Sequence, residues 1–344
     1  MSKQYLLPNV EHYFKACMHT HTTLSDGKMT PEEIKKIYQA HGYQIVAYTD
    51  HEVCVAHPEL IDEGFVAITS YEMAVNPSGC RDRGIYDKCY HLNLYARDPE
   101  NTKHVCFDRG YVRDFWPVSK LDIETYSEEN RTYSVDYVNH VIEEANKAGF
   151  FVSLNHPNWS LQDYTDYIEL KGLWGVEVYN SECCKLGYGD NHPQVMEDML
   201  RAGTQIFPLA TDDCHHIESA CLGYLQVGAK SLSYQDVISA LENGDFYAST
   251  GPEIHSLTLE DGKLKITCSP CRDIHLNTEC RRALRAKSKD GELMTEAEFD
   301  LHQWYSTCLE GRENTAFFRV TLEDAEGKNA YTRAYFRNEV KDQF

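Results

Sequence analysis

An α/β fold is predicted for this chain: a barrel of βα units followed by an antiparallel β domain. From Phe14 onward, short apolar runs alternate with amphipathic segments, the pattern of strands and crossover helices in a mostly parallel sheet. Beyond Gly251-Pro252 the pattern changes to strand runs separated by Asp261-Gly262 and Glu326-Gly327, which are hairpin signals. A third observation concerns nine imidazoles and carboxylates, almost all standing where an apolar run ends. In a parallel barrel such strand ends converge on one mouth however far apart they are in sequence.

Each element follows from local pattern. A strand over 14–18 runs into His19-Thr20-His21, and after a loop a helix opens with Thr30 as N-cap, Pro31 at the first helical position and Glu33 completing a capping box. Gly42 ends that helix. Strands at 45–49 and 65–71 deliver Asp50, His51 and Glu72, whereas His91 begins its run at 91–96 instead of ending it. A helix over 135–148 leads into a strand at 150–154 and Asn155-His156-Pro157. Another strand at 176–179 precedes Asn180. A helix at 193–202 and a strand at 205–210 lead to Asp212-Asp213-Cys214-His215-His216, and one more unit spans 222–243. Residues 98–134 lack clean periodicity, and a loop of that length suggests a lid. The remaining chain reads as a small β-sandwich, with Cys268-Ser269-Pro270-Cys271 in a turn carrying two reduced thiols.

Composition bounds the partners. With 33 basic against 54 acidic residues the formal charge is -21, which repels phosphate backbones and argues against duplex nucleic acid. The N-terminal stretch does not resemble a signal peptide and no run approaches membrane-spanning length, so a cytosolic protein without membrane contact is expected. Thirteen cysteines then read as reduced thiols. No Walker loop, Rossmann fingerprint or G-x-S-x-G elbow is present.

The nine groups are His19, His21, Asp26, His51, Glu72, His91, His156, Asp213 and His215. Imidazole with carboxylate is the ligand chemistry of Zn, Mn and Fe hydrolases. Residues i and i+2 share a strand face, so His19 with His21, and Asp213 with His215, can each address one site. Asp50 and Asp212 are expected behind the ligands, Asp50 orienting an imidazole by accepting its other N–H.

These residues resemble the PHP family (polymerase and histidinol phosphatase). Its first motif is H-x-H followed by S-D-G, as in His19-Thr20-His21 with Ser25-Asp26-Gly27. The others correspond to Thr49-Asp50-His51, the histidine of Asn155-His156-Pro157, and Asp213-Cys214-His215. The match runs from about Tyr13 to Pro252, and the chain beyond resembles a subgroup of stand-alone phosphoesterases with a C-terminal sandwich. The resemblance implies a distorted (β/α)7 TIM-like barrel over 1–252, a β-sandwich over 253–344, and two to three divalent ions (Mn, Fe or Zn). It places His19, His21, Glu72 and Asp213 on the first ion, Glu72, His91 and His156 on the second, and Asp26, His51 and His215 on the third. Glu72 would bridge two ions, and a metal-bound hydroxide held by Glu72 and Asp213 would attack phosphorus.

The substrate expected from this is a small phosphorylated metabolite or nucleotide. Arg81, Arg83, Arg113, Asn180 and His216 are the candidate substrate contacts, with His216 or a metal-bound water protonating the leaving group. The alternatives are a 5'-3' exonuclease on short oligonucleotides, an amidohydrolase acting on C–N bonds, and a non-catalytic barrel that supports the β domain as an interaction surface.

Overall fold

The computed structural model of the chain describes residues 3–11, 13–78, 86–112, 128–289, 291–307, 312 and 315–344. The fold is mixed α/β and rich in sheet. After a short β1 (Gln4–Tyr5) come β2 (Phe14–Cys17), α1 (Pro31–Ala40), β3 (Tyr43–Tyr48), β4 (Val66–Val75) and β5 (Tyr90–Ala96). Next are α2 (Val135–Lys147), β6 (Phe150–Leu154), α3 (Tyr164–Tyr167), β7 (Gly175–Asn180), α4 (Ser181–Lys185), α5 (Gln194–Arg201), β8 (Phe207–Thr211), β9 (Tyr224–Val227), α6 (Tyr234–Asn243) and β10 (Phe246–Ser249). The sheet runs β10-β9-β2-β3-β4-β5-β6-β7-β8 through this part of the chain.

The helices form for the reasons legible in sequence. In α1 the Glu33 amide donates to Thr30 Oγ1 and the Thr30 amide to Glu33 Oε2, so both sides of the capping box are made. Helix α2 places Val138, Val141, Ile142 and Ala145 on one buried stripe, and burial of each larger side chain stabilises the fold by about 1.5–3 kcal/mol. Trp174 and Phe151 pack edge to face beneath β6 and β7, and the Trp174 indole donates to the Leu241 carbonyl.

Two features differ from the expected barrel of parallel units. Strand β5 is antiparallel to both β4 and β6, and β9 is antiparallel to β2. A parallel neighbour needs a crossover, usually helical, and no helical pattern is legible between the runs that became β4 and β5. The reversal explains His91: the first turn of an antiparallel strand lies at the same end of the sheet as the last turns of its parallel neighbours. The ladders among the described residues also do not close. Beyond β8, an isolated parallel bridge joins Thr20 to Cys214, with His21 N–H donating to Cys214 O (3.1 Å) and Asp213 N–H to His19 O (3.0 Å). The segments after β2 and β8 thus meet at the end of the sheet where the nine groups gather.

The chain beyond β10 is antiparallel, with β11 (Ile254–Glu260), β12 (Lys263–Cys271), β13 (Asp273–Thr278), β14 (Ala283–Lys287) and β15 (Met294–Asp300). After α7 (His302–Ser306) follow β16 (Phe317–Glu323), β17 (Asn329–Thr332) and β18 (Tyr335–Phe336). β1, β11, β12 and β15 form one layer. β14, β13, β16 and β17 form the other and continue the large sheet through β10. Leu257, Leu259 and Ile266 share a core with Ile274, Leu276 and Val320. Asp261 and Gly262, both at positive φ, make the two-residue turn joining β11 to β12. Cys268 and Cys271 lie on β12, not in a turn, beside a slip in its register with β15. The cysteines among the described residues are unpaired, and no described helix is long and apolar enough to cross a membrane.

Candidate metal centre

All nine groups arrive at one end of the sheet. His19 and His21 follow β2, His51 follows β3, Glu72 lies within β4 and His91 near the start of β5. His156 follows β6, and Asp213 and His215 follow β8. Asp26 comes from the loop before α1, where Gly27 packs so tightly that a β-carbon would collide with the His21 carbonyl.

The tightest convergence is around Asp213 and Glu72. Asp213 Oδ1 stands 3.2 Å from His19 Nε2 and 3.0 Å from His21 Nε2, and those two nitrogens are 3.2 Å apart. Glu72 Oε1 is 3.3 Å from His19 Nε2, and Glu72 Oε2 is 3.4 Å from His21 Nε2. Four ligands placed tetrahedrally about 2.0–2.2 Å from a zinc-sized ion are about 3.3–3.6 Å apart. Glu72 Oε2 and Asp213 Oδ1 are also buried and accept no hydrogen bond. Orphaned anionic oxygens facing ring nitrogens are costly in a protein interior unless a cation lies among them. The donor set therefore fits a divalent metal.

Two further groupings share its members. Glu72 also reaches His91 Nδ1 (3.2 Å), His156 Nε2 (3.2 Å) and His51 Nδ1 (3.0 Å). Asp26 faces His215 Nε2 (3.3 Å) and His51 Nε2 (3.7 Å). Three sets of potential ligands result: His19, His21, Glu72 and Asp213; His51, Glu72 and His91; and His21, Asp26, His51 and His215. The first is the set expected for the first ion. In the other two His51 faces both ways, and His156 lies between Glu72 and Asp213, 3.7 Å from Asp213 Oδ2.

Electrostatics match this geometry. Burial disfavours the Glu72 anion, but His91, His19 and His51 outweigh it and hold the carboxyl well below the usual carboxylate range. Burial, with His215 and His51 nearby, lowers His21 to about 3, so that imidazole stays neutral, the form that ligates. Burial works against His215 as a cation, yet Asp26 and Asp213 raise it to about 9. In metal-stripped protein this pairing stabilises the fold fully below about pH 6.5 and is lost as pH rises through about 9. Urea unfolding of the stripped chain against its His215→Ala variant is expected to show a stability difference that shrinks across that window.

Residues behind the nine groups set their orientation. Glu177, on β7, accepts from His19 Nδ1 (2.7 Å), the His156 amide (2.8 Å), Asn180 Nδ2 (2.9 Å) and Thr211 Oγ1 (2.7 Å). It fixes the tautomer that turns His19 Nε2 toward Asp213. His156 and Asp213 both sit at positive φ (26° and 52°), a strain of about 1–3 kcal/mol each that such bonds hold in place. Sequence reasoning missed Glu177, although a carboxylate between the apolar residues Val176 and Val178 of a buried strand was the available signal. Glu177→Gln is expected to weaken metal affinity about 10–100-fold, checked by competition against a chromophoric chelator.

The expected supporting residues take other partners. Asp50 accepts from the Thr22 amide (2.7 Å), Thr22 Oγ1 (2.8 Å) and Ser25 Oγ (2.7 Å), so it holds the loop carrying Asp26 and not the His51 ring. Asp212 faces away, clamping the amides of Cys221, Leu222 and Gly223 and the Tyr38 hydroxyl. Asn180 is fully buried, its amide donating to Glu177 and Asp213 (3.2 Å) and its carbonyl capping α4. It therefore positions the ligands beneath the site and does not line the cavity. His216 is exposed and lines the mouth. Arg81, Arg83 and Arg113 lie outside the described residues, as does part of the expected lid.

Above the cluster a cavity of about 820 Å³ opens. Lys28, His216, Trp159, Leu186 and Tyr188 are among the residues that line it. The Trp159 ring packs against His156 and His91, with centroids 4.8 and 5.3 Å away.

No protein-family model matches the chain, and no curated protein gives a significant match. Among solved structures, a two-domain protein of Bacteroides vulgatus, described as containing a predicted PHP-like metal-dependent phosphoesterase, aligns at 16% identity. It covers 96% of this chain and 98% of its own, with a TM-score of 0.45. A Bifidobacterium adolescentis protein, provisionally described as a metal-dependent phosphoesterase, aligns at 14% identity over 66% of this chain and 94% of its own (TM-score 0.39). A Chromobacterium violaceum protein described as an amidohydrolase with bound sulfate and no metal aligns at 16% over 58% and 87% (TM-score 0.36). With all three TM-scores below 0.5, the chemistry of the site rests on its own residues.

Proposed function

We propose that this chain is a metal-dependent phosphomonoesterase acting on a small phosphorylated metabolite or nucleotide, with two to three divalent ions (Mn, Fe or Zn) held by the nine converging groups. The observation that carries this reading is the shared use of Glu72 and His51 by adjacent ligand sets, the arrangement that places ions side by side over one phosphoryl group. The motif resemblance supports it independently.

Divalent ions held by these residues would lower the pKa of a coordinated water to about 7 and neutralise phosphoryl oxygens. The protein's part is positioning. Glu72 and Asp213 supply the carboxylates at the centre, and Glu177 holds His19 Nδ1 so that Nε2 faces them. Asp26, paired with His215 and held through Ser25 and Asp50, sets the side of the site nearest Lys28. Lys28 offers a cation at the mouth, and His216 a proton donor for the departing oxygen. Three carboxylates against three dications leave an excess of three positive charges, which suits a phosphate dianion better than a neutral amide.

The test is metal quantification followed by a phosphate-release screen over phosphorylated metabolites and short oligonucleotides with Mn, Fe or Zn supplied. Phosphate release from monoesters without shortening of oligomers is the expected result. No release from any compound rejects the reading, and shortening of oligomers replaces it with an exonuclease. Asp26→Ala is expected to lose most phosphatase activity while keeping the ions bound by Glu72 and Asp213.

A further inference from the structure

We propose a separate, sulfur-containing metal site formed by Cys106, Glu129 and His140, which ties the loop after β5 to helix α2. Cys106 Sγ, a Glu129 carboxylate oxygen and a His140 ring nitrogen all lie within 4.8 Å of one another, and the group shares no residue with the central cluster. His140 Nε2 is 3.3 Å from Glu129 Oε2.

The three residues come from stretches that are held independently. Cys106 sits at φ 47°, an uncommon conformation for a residue with a β-carbon, and its carbonyl accepts from Arg131 Nε (3.2 Å). The Glu129 amide donates to the Phe107 carbonyl (2.7 Å), and the Tyr137 hydroxyl on α2 donates to Glu129 Oε2 (3.1 Å). His140 lies one turn beyond Tyr137 on that helix. The ligand atoms are thus placed by backbone and neighbouring bonds before any ion arrives.

One thiolate, one imidazole and one carboxylate select a zinc-like ion over magnesium or manganese, and three protein ligands leave a fourth position for water. Without an ion, burial and the Glu129 carboxylate push the Cys106 thiol up to about 12. Binding therefore replaces the S–H bond by an S–metal bond and releases one proton to solvent. An ion here pins the Cys106 and Glu129 arms to α2. Through Arg131, which grips both the Cys106 carbonyl and Glu52, it braces the residue that follows His51.

The test is a titration of the chelator-stripped full chain with Co²⁺, followed by near-ultraviolet sulfur-to-cobalt absorption and by proton release. Cys89 also lies beside His91, so a Cys89→Ser variant controls for sulfur at the central cluster. The wild type and Cys89→Ser are expected to show the sulfur band with one proton released per ion bound there. Cys106→Ser should lose it, and His140→Ala, an exposed helix position where folding is not at stake, should weaken binding at least about tenfold. A wild type without the band, a band that survives Cys106→Ser, or one indifferent to His140→Ala overturns the site.

Discussion

Glu72→Gln is expected to abolish the proposed phosphatase, lowering kcat/KM by about 10³-fold or more, and to reduce bound metal measured on the purified chain. Glu72 is the one carboxylate facing five of the six histidines, His19, His21, His51, His91 and His156, at 3.0–3.4 Å. A glutamine preserves shape and accepts from Asn155 Nδ2 as Glu72 Oε1 does at 2.8 Å, so the fold should survive. It removes a negative charge that adjacent ions would share, and mutual repulsion between those ions then goes uncompensated. Metal analysis separates the two steps. Full metal content together with full activity in Glu72→Gln would show that this carboxylate is not a ligand.

The largest stability effect is expected at Arg131. Its guanidinium makes two bonds to Glu52, at 2.7 and 2.8 Å, and one to the Ala74 carbonyl, with the paired side chains only 1% and 6% exposed. Arg131→Met leaves the Glu52 carboxylate buried and unpaired, which costs about 3–5 kcal/mol and should appear as a lower midpoint in urea unfolding. Adding Glu52→Gln removes the stranded charge and should recover part of the loss, because the Ala74 amide keeps an acceptor. If the double variant is no more stable than Arg131→Met, the pair is not the source of the effect. Glu52 directly follows His51 and its amide bonds the Glu72 carbonyl (2.8 Å), so the same variant is expected to loosen the metal centre.

Much of the molecule was legible because its signals are local. The capping box of α1 and the Asp261-Gly262 turn depend on residues within a few positions of each other, and both are present as read. The nine groups were legible because strand-end placement is written in the alternation of apolar runs. The antiparallel course of β5 was foreshadowed only by His91 opening its run. Glu177 and the Arg131 to Glu52 pair were illegible, since each depends on partners far along the chain: 158 positions separate Glu177 from His19 and 79 separate Arg131 from Glu52.

Asp50 and Asp212 show where adjacency misleads. Each stands beside a metal-ligand candidate, yet its own side chain points elsewhere, Asp50 to the loop that carries Asp26 and Asp212 to the amides of Cys221, Leu222 and Gly223. Sequence alone determined which residue types reach the mouth of the sheet, since alternation and strand ends are local properties of the chain. Only the tertiary structure decided that His51 faces two ligand sets, that Glu177 aims His19, and that Asn180 lies beneath the ligands and not above them. Those outcomes follow from burial, in which every polar atom taken out of water must find a partner, and the partners available are whatever the fold brings near.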